Sequence, residues 1–142
     1  MSIYADTSFL ISLYSPDANS AAAAQTMRVS TGERYVTILG ELEVVNALQL
    51  RVFRKELSAS QVQSSLDDFE RDMRDRVFLL RPLAEQAFER AHQLARQTTP
   101  RLGTRTADLL HVASALQLEV DYLYSFDQQQ RRLARTLGLK LN

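Results

Sequence analysis

Three aspartates and one of two glutamates stand where an α/β chain puts its chemistry. Asp6 comes directly after a short apolar run, Ile3–Ala5, and Asp127 closes the segment Tyr122-Leu123-Tyr124-Ser125-Phe126-Asp127. Ligands of open α/β sheets bind beyond the carboxyl ends of the strands, so both carboxylates are expected in that crevice, each delivered by a different strand. Asp108 falls in the first turn of a helix running from about Thr106 to Gln117, where the helix dipole favours an anion, and at the rim of its Leu109/Val112/Ala113/Leu116 stripe. His111 follows one turn later and nearly in line. A helix from Leu39 to Lys55 carries Glu41 and Glu43 on different faces, each with apolar neighbours. An acid in such surroundings is costly unless it is paired or binds a cation, and periodicity does not choose between the two.

Each of these residues also has a plain structural reading. Asp is a favoured N-cap, and Asp6, Asp17 and Asp127 all precede helical segments whose first N–H groups need an acceptor. Asp17 is assigned no chemistry. For Asp6 and Asp127 a capping role is compatible with a carboxylate turned toward the crevice. His111 reads as a satisfied, half-buried side chain.

The elements that must position the acids are short and readable. Strands are expected at Ile3–Ala5, Tyr35–Ile38, Val77–Leu80 and Tyr122–Tyr124, with a fifth at Leu139–Leu141. Helical patterns separate them, the signature of a mostly parallel four- to five-stranded sheet flanked by helices in three layers. Val62, Leu66, Phe69 and Met73 form one stripe of a helix. Pro82 is expected to open the next helix, which buries Ala84, Ala87, Phe88, Ala91 and Ala95. A last helix, about Gln128 to Leu137, buries Leu133, Ala134 and Leu137, with Gly138 as its stop.

Composition sets the outer limits. A chain of 142 residues with 45% hydrophobic and 24% charged residues reads as one domain over 1–142 with an ordinary globular core. Cys is absent, which removes disulfides, thiolate catalysis and Cys-based metal sites. The two histidines, His92 and His111, are too few for a three-histidine metal site. There is no stretch of about 18 or more apolar residues to span a membrane, and Met1-Ser2-Ile3-Tyr4-Ala5-Asp6 lacks the basic start of a secretory signal. A cytoplasmic protein is therefore expected. The formal net charge is zero, which gives no whole-molecule steering toward nucleic acid. Of 17 cationic side chains only Lys55 and Lys140 are lysine, and arginine is the better bidentate ligand for phosphate.

Taken in order, the segments resemble a known family. Asp6-Thr7-Ser8-Phe9-Leu10 is similar to the opening of PIN-domain nucleases, in particular the VapC-like toxins of toxin–antitoxin pairs. Glu43-Val44-Val45-Asn46-Ala47-Leu48 resembles their second motif, and Thr106-Ala107-Asp108-Leu109-Leu110-His111-Val112-Ala113 their third. Ser125-Phe126-Asp127 resembles the fourth, and Arg132 to Leu139 continues the likeness. Two features depart from the pattern: Ser rather than Thr at 125, and no Gly near Glu119-Val120-Asp121.

The resemblance selects Glu43 over Glu41 and implies that Asp6, Glu43, Asp108 and Asp127 converge as catalytic metal ligands. Like charges so close cannot all ionise without a cation, and hard oxygen donors suit Mg²⁺ or Mn²⁺. It further implies metal-dependent hydrolysis of RNA phosphodiesters, with Thr7 and Ser125 orienting a carboxylate or a water. Arg105, Arg131, Arg132 and Arg135 are the candidates for phosphate contacts. Implied partners are RNA, a cognate antitoxin and a second copy in a homodimer. The rivals are a non-catalytic PIN-like interaction module and another metal-dependent phosphoryl-transfer fold. A haloacid-dehalogenase-like enzyme would need an Asp where Ser8 stands, and the acidic pair and late Lys of a receiver domain are missing.

Overall fold

Apolar residues alternate between two cores because a strand throws successive side chains to opposite sides. In the computed structural model, which describes residues 1–142, β1 (Ile3–Ala5) sends Ile3 and Ala5 to one side and Tyr4 to the other. It is the middle of a five-stranded sheet in the order β3-β2-β1-β4-β5, formed with β2 (Arg34–Thr37), β3 (Leu79–Arg81), β4 (Tyr122–Tyr124) and β5 (Lys140–Leu141). All four pairings are parallel, with Ile3 beside Arg34 on one flank and Tyr122 on the other. The chain winds outward from β1 through β2 and β3, then returns to lay β4 on the opposite flank. This reversal opens the crevice between the carboxyl ends of β1 and β4.

One face of the sheet is covered by α1 (Thr7–Tyr14), α2 (Ser20–Val29), α3 (Ile38–Phe53) and α4 (Ala59–Arg74), whose core includes Phe9, Leu10, Ala23, Val44, Leu48, Val62, Leu66 and Phe69. The other carries α5 (Glu85–Leu102), α6 (Thr106–Gln117) and α7 (Gln128–Thr136), with Leu94, Val112, Ala113, Leu123 and Leu133 fully buried. Helix α6 is buried from Asp108 through Ala115, so polar groups there need partners inside the protein. No helix is long and apolar enough to cross a membrane.

The strands agree with the sequence reading to within two residues. The sheet is wholly rather than mostly parallel. Pro82 does not open a helix: Ala84 is still extended, and α5 begins at Glu85. Its buried face is then Ala87, Ala91, Leu94 and Thr98, which turns Phe88 to solvent. Asp17 caps no helix, since α2 starts from Asn19 without a side-chain cap. Helix α3 buries Val44 and Leu48 but leaves Ile38, Leu42, Leu50 and Phe53 exposed, so only one of its two apolar flanks is covered within the chain.

Four helices end alike. Beyond α3, α4, α6 and α7 come Lys55, Arg76, Glu119 and Gly138, with φ of 59°, 60°, 54° and 79°. The next N–H in each case returns to a carbonyl one turn back, as from Glu56 to Arg51 and from Val120 to Ala115.

Candidate active site

Asp6 is the first residue after β1 and the N-cap of α1. Its Oδ1 accepts the Phe9 backbone N–H at 2.9 Å and the Ser8 hydroxyl at 2.7 Å, and its Oδ2 accepts the Ser125 hydroxyl at 2.5 Å. Burial pushes its pKa above the usual carboxylate range, against the opposing pull of His111 and of these hydrogen bonds. The capping role and the crevice position therefore coexist in one side chain.

Asp127 occupies the matching place after β4 and caps α7, accepting the Gln130 N–H at 3.0 Å. Ser125 joins the two aspartates, because its Oγ also accepts the Asp127 N–H at 3.0 Å. Ser8 ties the same loop to α1 by accepting the Phe126 N–H at 2.9 Å.

Asp108 is 2% exposed and accepts the backbone N–H of Arg105 at 3.1 Å. The Arg105 guanidinium lies 3.2 Å from Asp108 Oδ2 and 2.9 Å from Asp127 Oδ2, so one cation bridges two carboxylates from different elements. Both carboxylates hold the guanidinium more firmly protonated, Asp108 most of all. The buried Gln130 side chain adds a long contact to Asp108 Oδ1 at 3.4 Å.

Glu43 enters from α3. Its Oε1 accepts the Thr7 hydroxyl at 2.8 Å and is hydrogen-bonded to His111 Nε2. Burial alone would raise its pKa, but His111, Thr7 and the charge of Arg105 together outweigh burial and leave it lowered. Asp6 and Glu43 are thus displaced in opposite directions, the first upward by burial and the second downward by its partners.

Ser125 and Arg105 therefore link Asp6, Asp127 and Asp108 through hydrogen bonds and ion pairs, while Glu43 is held separately, by Thr7 and His111. Glu41 is absent from this set and lies beside Leu42, Val45 and Phe69 at a groove between α3 and α4. Nowhere do three or more acidic or histidine side chains gather closely enough to cage a metal ion. The donor chemistry nevertheless fits a hard divalent ion. All the acidic donors are carboxylates, a buried one is strained by desolvation, and Asp108 and Asp127 already converge on a cationic group.

Among the arginines, Arg105 is occupied by the acids. Arg131 donates to the Ser125 carbonyl at 2.8 Å and to Asn142, bracing the end of β4. Arg132 and Arg135 are exposed and form no ion pair. Sequence reasoning gave no part to Tyr4, Ser8 or Gln130. A tyrosine within a buried strand was the one available signal, because its hydroxyl needs a partner.

The family profile of the PIN domain matches residues 3–136, and the chain belongs to that family. Its fold is similar to that of VapC20 of Mycobacterium tuberculosis, described as a sarcin–ricin loop cleaving toxin, with a TM-score of 0.72 and 16% identity over 96% of this chain and 95% of the other. FitAcB of Neisseria gonorrhoeae superposes with a TM-score of 0.68 and 16% identity over 98% and 95% of the two chains. VapBC2 of Rickettsia felis, bound to a DNA fragment from its promoter, gives 0.67 and 16% over 100% and 98%. No curated protein sequence matches this one significantly.

Proposed function

We propose that this protein, as a single domain over residues 1–142, is a Mg²⁺- or Mn²⁺-dependent endoribonuclease and the toxin of a type II toxin–antitoxin pair, acting in the cytoplasm. The observation that carries the reading is the network of Asp6, Asp108 and Asp127 joined through Ser125 and Arg105 at the carboxyl end of one parallel sheet in a PIN domain, with Glu43 held by Thr7, the residue next to Asp6. Likeness to VapC20 and to toxin–antitoxin complexes supports it.

In this reading the four acids would hold the ion, which when bound would supply activation of a water and charge stabilisation at the departing oxygen of a phosphodiester. Thr7 fixes Glu43 and Ser125 fixes Asp6 by hydroxyl donation. Arg132 and Arg135 supply exposed cations for the RNA backbone, with Arg131 behind them and Arg105 next to the acids. The apolar row Ile38, Leu42, Leu50 and Phe53 offers a surface for a second copy in a homodimer or for the antitoxin.

One observation favours the rival reading of a non-catalytic interaction module: Arg105 already neutralises two of the four acids. Cleavage of a panel of structured RNAs with Mn²⁺ or Mg²⁺ separates the two. Wild type is expected to cut only when the ion is present, and Asp6→Asn and Asp108→Asn are expected to be inactive. Equal cleavage by all three would identify a contaminant, and no cleavage by any would leave the interaction module standing.

A further inference from the structure

One buried constellation behind the acids has no part in the chemistry proposed above. Tyr4, on the middle strand, and His111, on the buried face of α6, are 0% and 1% exposed and meet edge to face. Tyr4 Oη lies 2.7 Å from His111 Nδ1 and 3.1 Å from Thr37 Oγ1. The far ring nitrogen, Nε2, is bonded to Glu43 Oε1 and stands 3.3 Å from Thr7 Oγ1.

Proton counting orders this chain. A carboxylate can only accept, so the nitrogen facing Glu43 carries a hydrogen. Burial keeps the Tyr4 phenol protonated far above neutral pH, so it has one hydrogen to give. With that hydrogen on Nε2, Nδ1 is left as the acceptor, and the Tyr4 hydroxyl fills it. The Thr37 hydroxyl then donates to Tyr4 Oη, while Thr37 Oγ1 accepts the Gly40 N–H at 3.3 Å. Each hydrogen has one acceptor.

We propose that His111 is a positioning residue for Glu43 and that the Tyr4 hydroxyl selects its Nε2–H tautomer. This rests on the reading of Glu43 as a ligand-bearing carboxylate. The bond from Nε2 of buried His111 holds the carboxylate oxygen in one orientation from inside the protein, whereas Arg105, on the opposite side of the crevice, meets Asp108 and Asp127 from the solvent side. Groups that orient ligating side chains in this way set metal affinity without touching the ion.

The test uses the full chain in two measurements. The first is a two-bond ¹H–¹⁵N correlation spectrum of the metal-free protein, with exposed His92 as the second ring signal. His111 is expected as a single Nε2–H tautomer in wild type and as a mixture in Tyr4→Phe. An Nδ1–H tautomer or an imidazolium in wild type overturns the proposal. The second is calorimetric titration with Mn²⁺. Affinity is expected to fall about 10-fold in Tyr4→Phe and up to about 100-fold in His111→Leu. His111→Gln, whose amide N–H can replace Nε2–H, is expected to recover most of it. Wild-type affinity in a folded His111→Leu overturns the proposal. Absence of Mn²⁺ binding in wild type would instead remove the nuclease reading, and the tautomer spectrum would still decide the role of Tyr4.

Discussion

The β1–α3 side of the crevice and its α6–α7 side hold their carboxylates by different means. On the first, Glu43 is fixed by hydrogen bonds from Thr7 and from His111, which is backed by buried Tyr4. On the second, Asp108 and Asp127 share the guanidinium of Arg105, whose side chain is 67% exposed. Buried hydrogen bonds are costly to remove, because the group left behind has no water to turn to. An ion pair whose cation is exposed is partly screened on that side, and the cation can be exchanged for another. The difference separates a pre-set donor from a place where charge can be swapped. Asp6 lies at the join, tied to the second side through Ser125 and to α1 through its cap.

Three substitutions break or sharpen this contrast. Asp6→Asn is expected to have the largest effect, lowering RNA cleavage by more than about 100-fold. The same change is expected to raise the melting temperature at neutral pH. The folded-state pKa of Asp6 is raised, so the wild type loses stability as pH rises through the window between the ordinary carboxylate value and the raised one. The gain in Asp6→Asn should therefore be full above that window and fade as pH falls through it, as thermal melts across pH will show.

His111→Ala comes next. It opens a cavity and strands the Tyr4 hydroxyl, and denaturant titration is expected to report a loss of about 2–4 kcal/mol. Arg105→Gln is expected to cost less stability than His111→Ala, because the Arg105 side chain is itself exposed although Asp108 behind it is buried. It should also tighten Mn²⁺ binding measured by calorimetry, since the competing cation is gone. Equal stability losses in His111→Ala and Arg105→Gln would erase the distinction between the two sides.

How far the sequence foretold this follows from where each residue finds its partners. The strands were legible because each is a short apolar run between polar segments, and Ile3–Ala5 and Tyr122–Tyr124 were located to the residue. Asp6 and Asp127 were legible as crevice residues because their place follows from strand ends alone. Periodicity could not separate Glu41 from Glu43, since both have apolar flanks; the family resemblance chose Glu43, and the contact with Thr7 and His111, on other elements, sets it apart in the structure. His111 was read as half-buried and structural because Tyr4, its partner, lies 107 residues away. Arg105 was expected to face phosphate, but three residues along an N-terminal turn bring it onto Asp108. Phe88 was counted as core, and the later start of α5 rotates it outward.

The helix ends carry a consequence of a different kind. Lys55, Arg76 and Glu119 hold a left-handed backbone that costs a side-chain-bearing residue about 1 kcal/mol or more and costs glycine far less. Position 119 also lies in the stretch Glu119-Val120-Asp121, near which the family resemblance led one to expect a glycine. Glu119→Gly should therefore lift the melting temperature by about 2–4 °C. A heat-tolerant version of this protein could be built at three sites on helix termini, with every acid of the crevice left untouched.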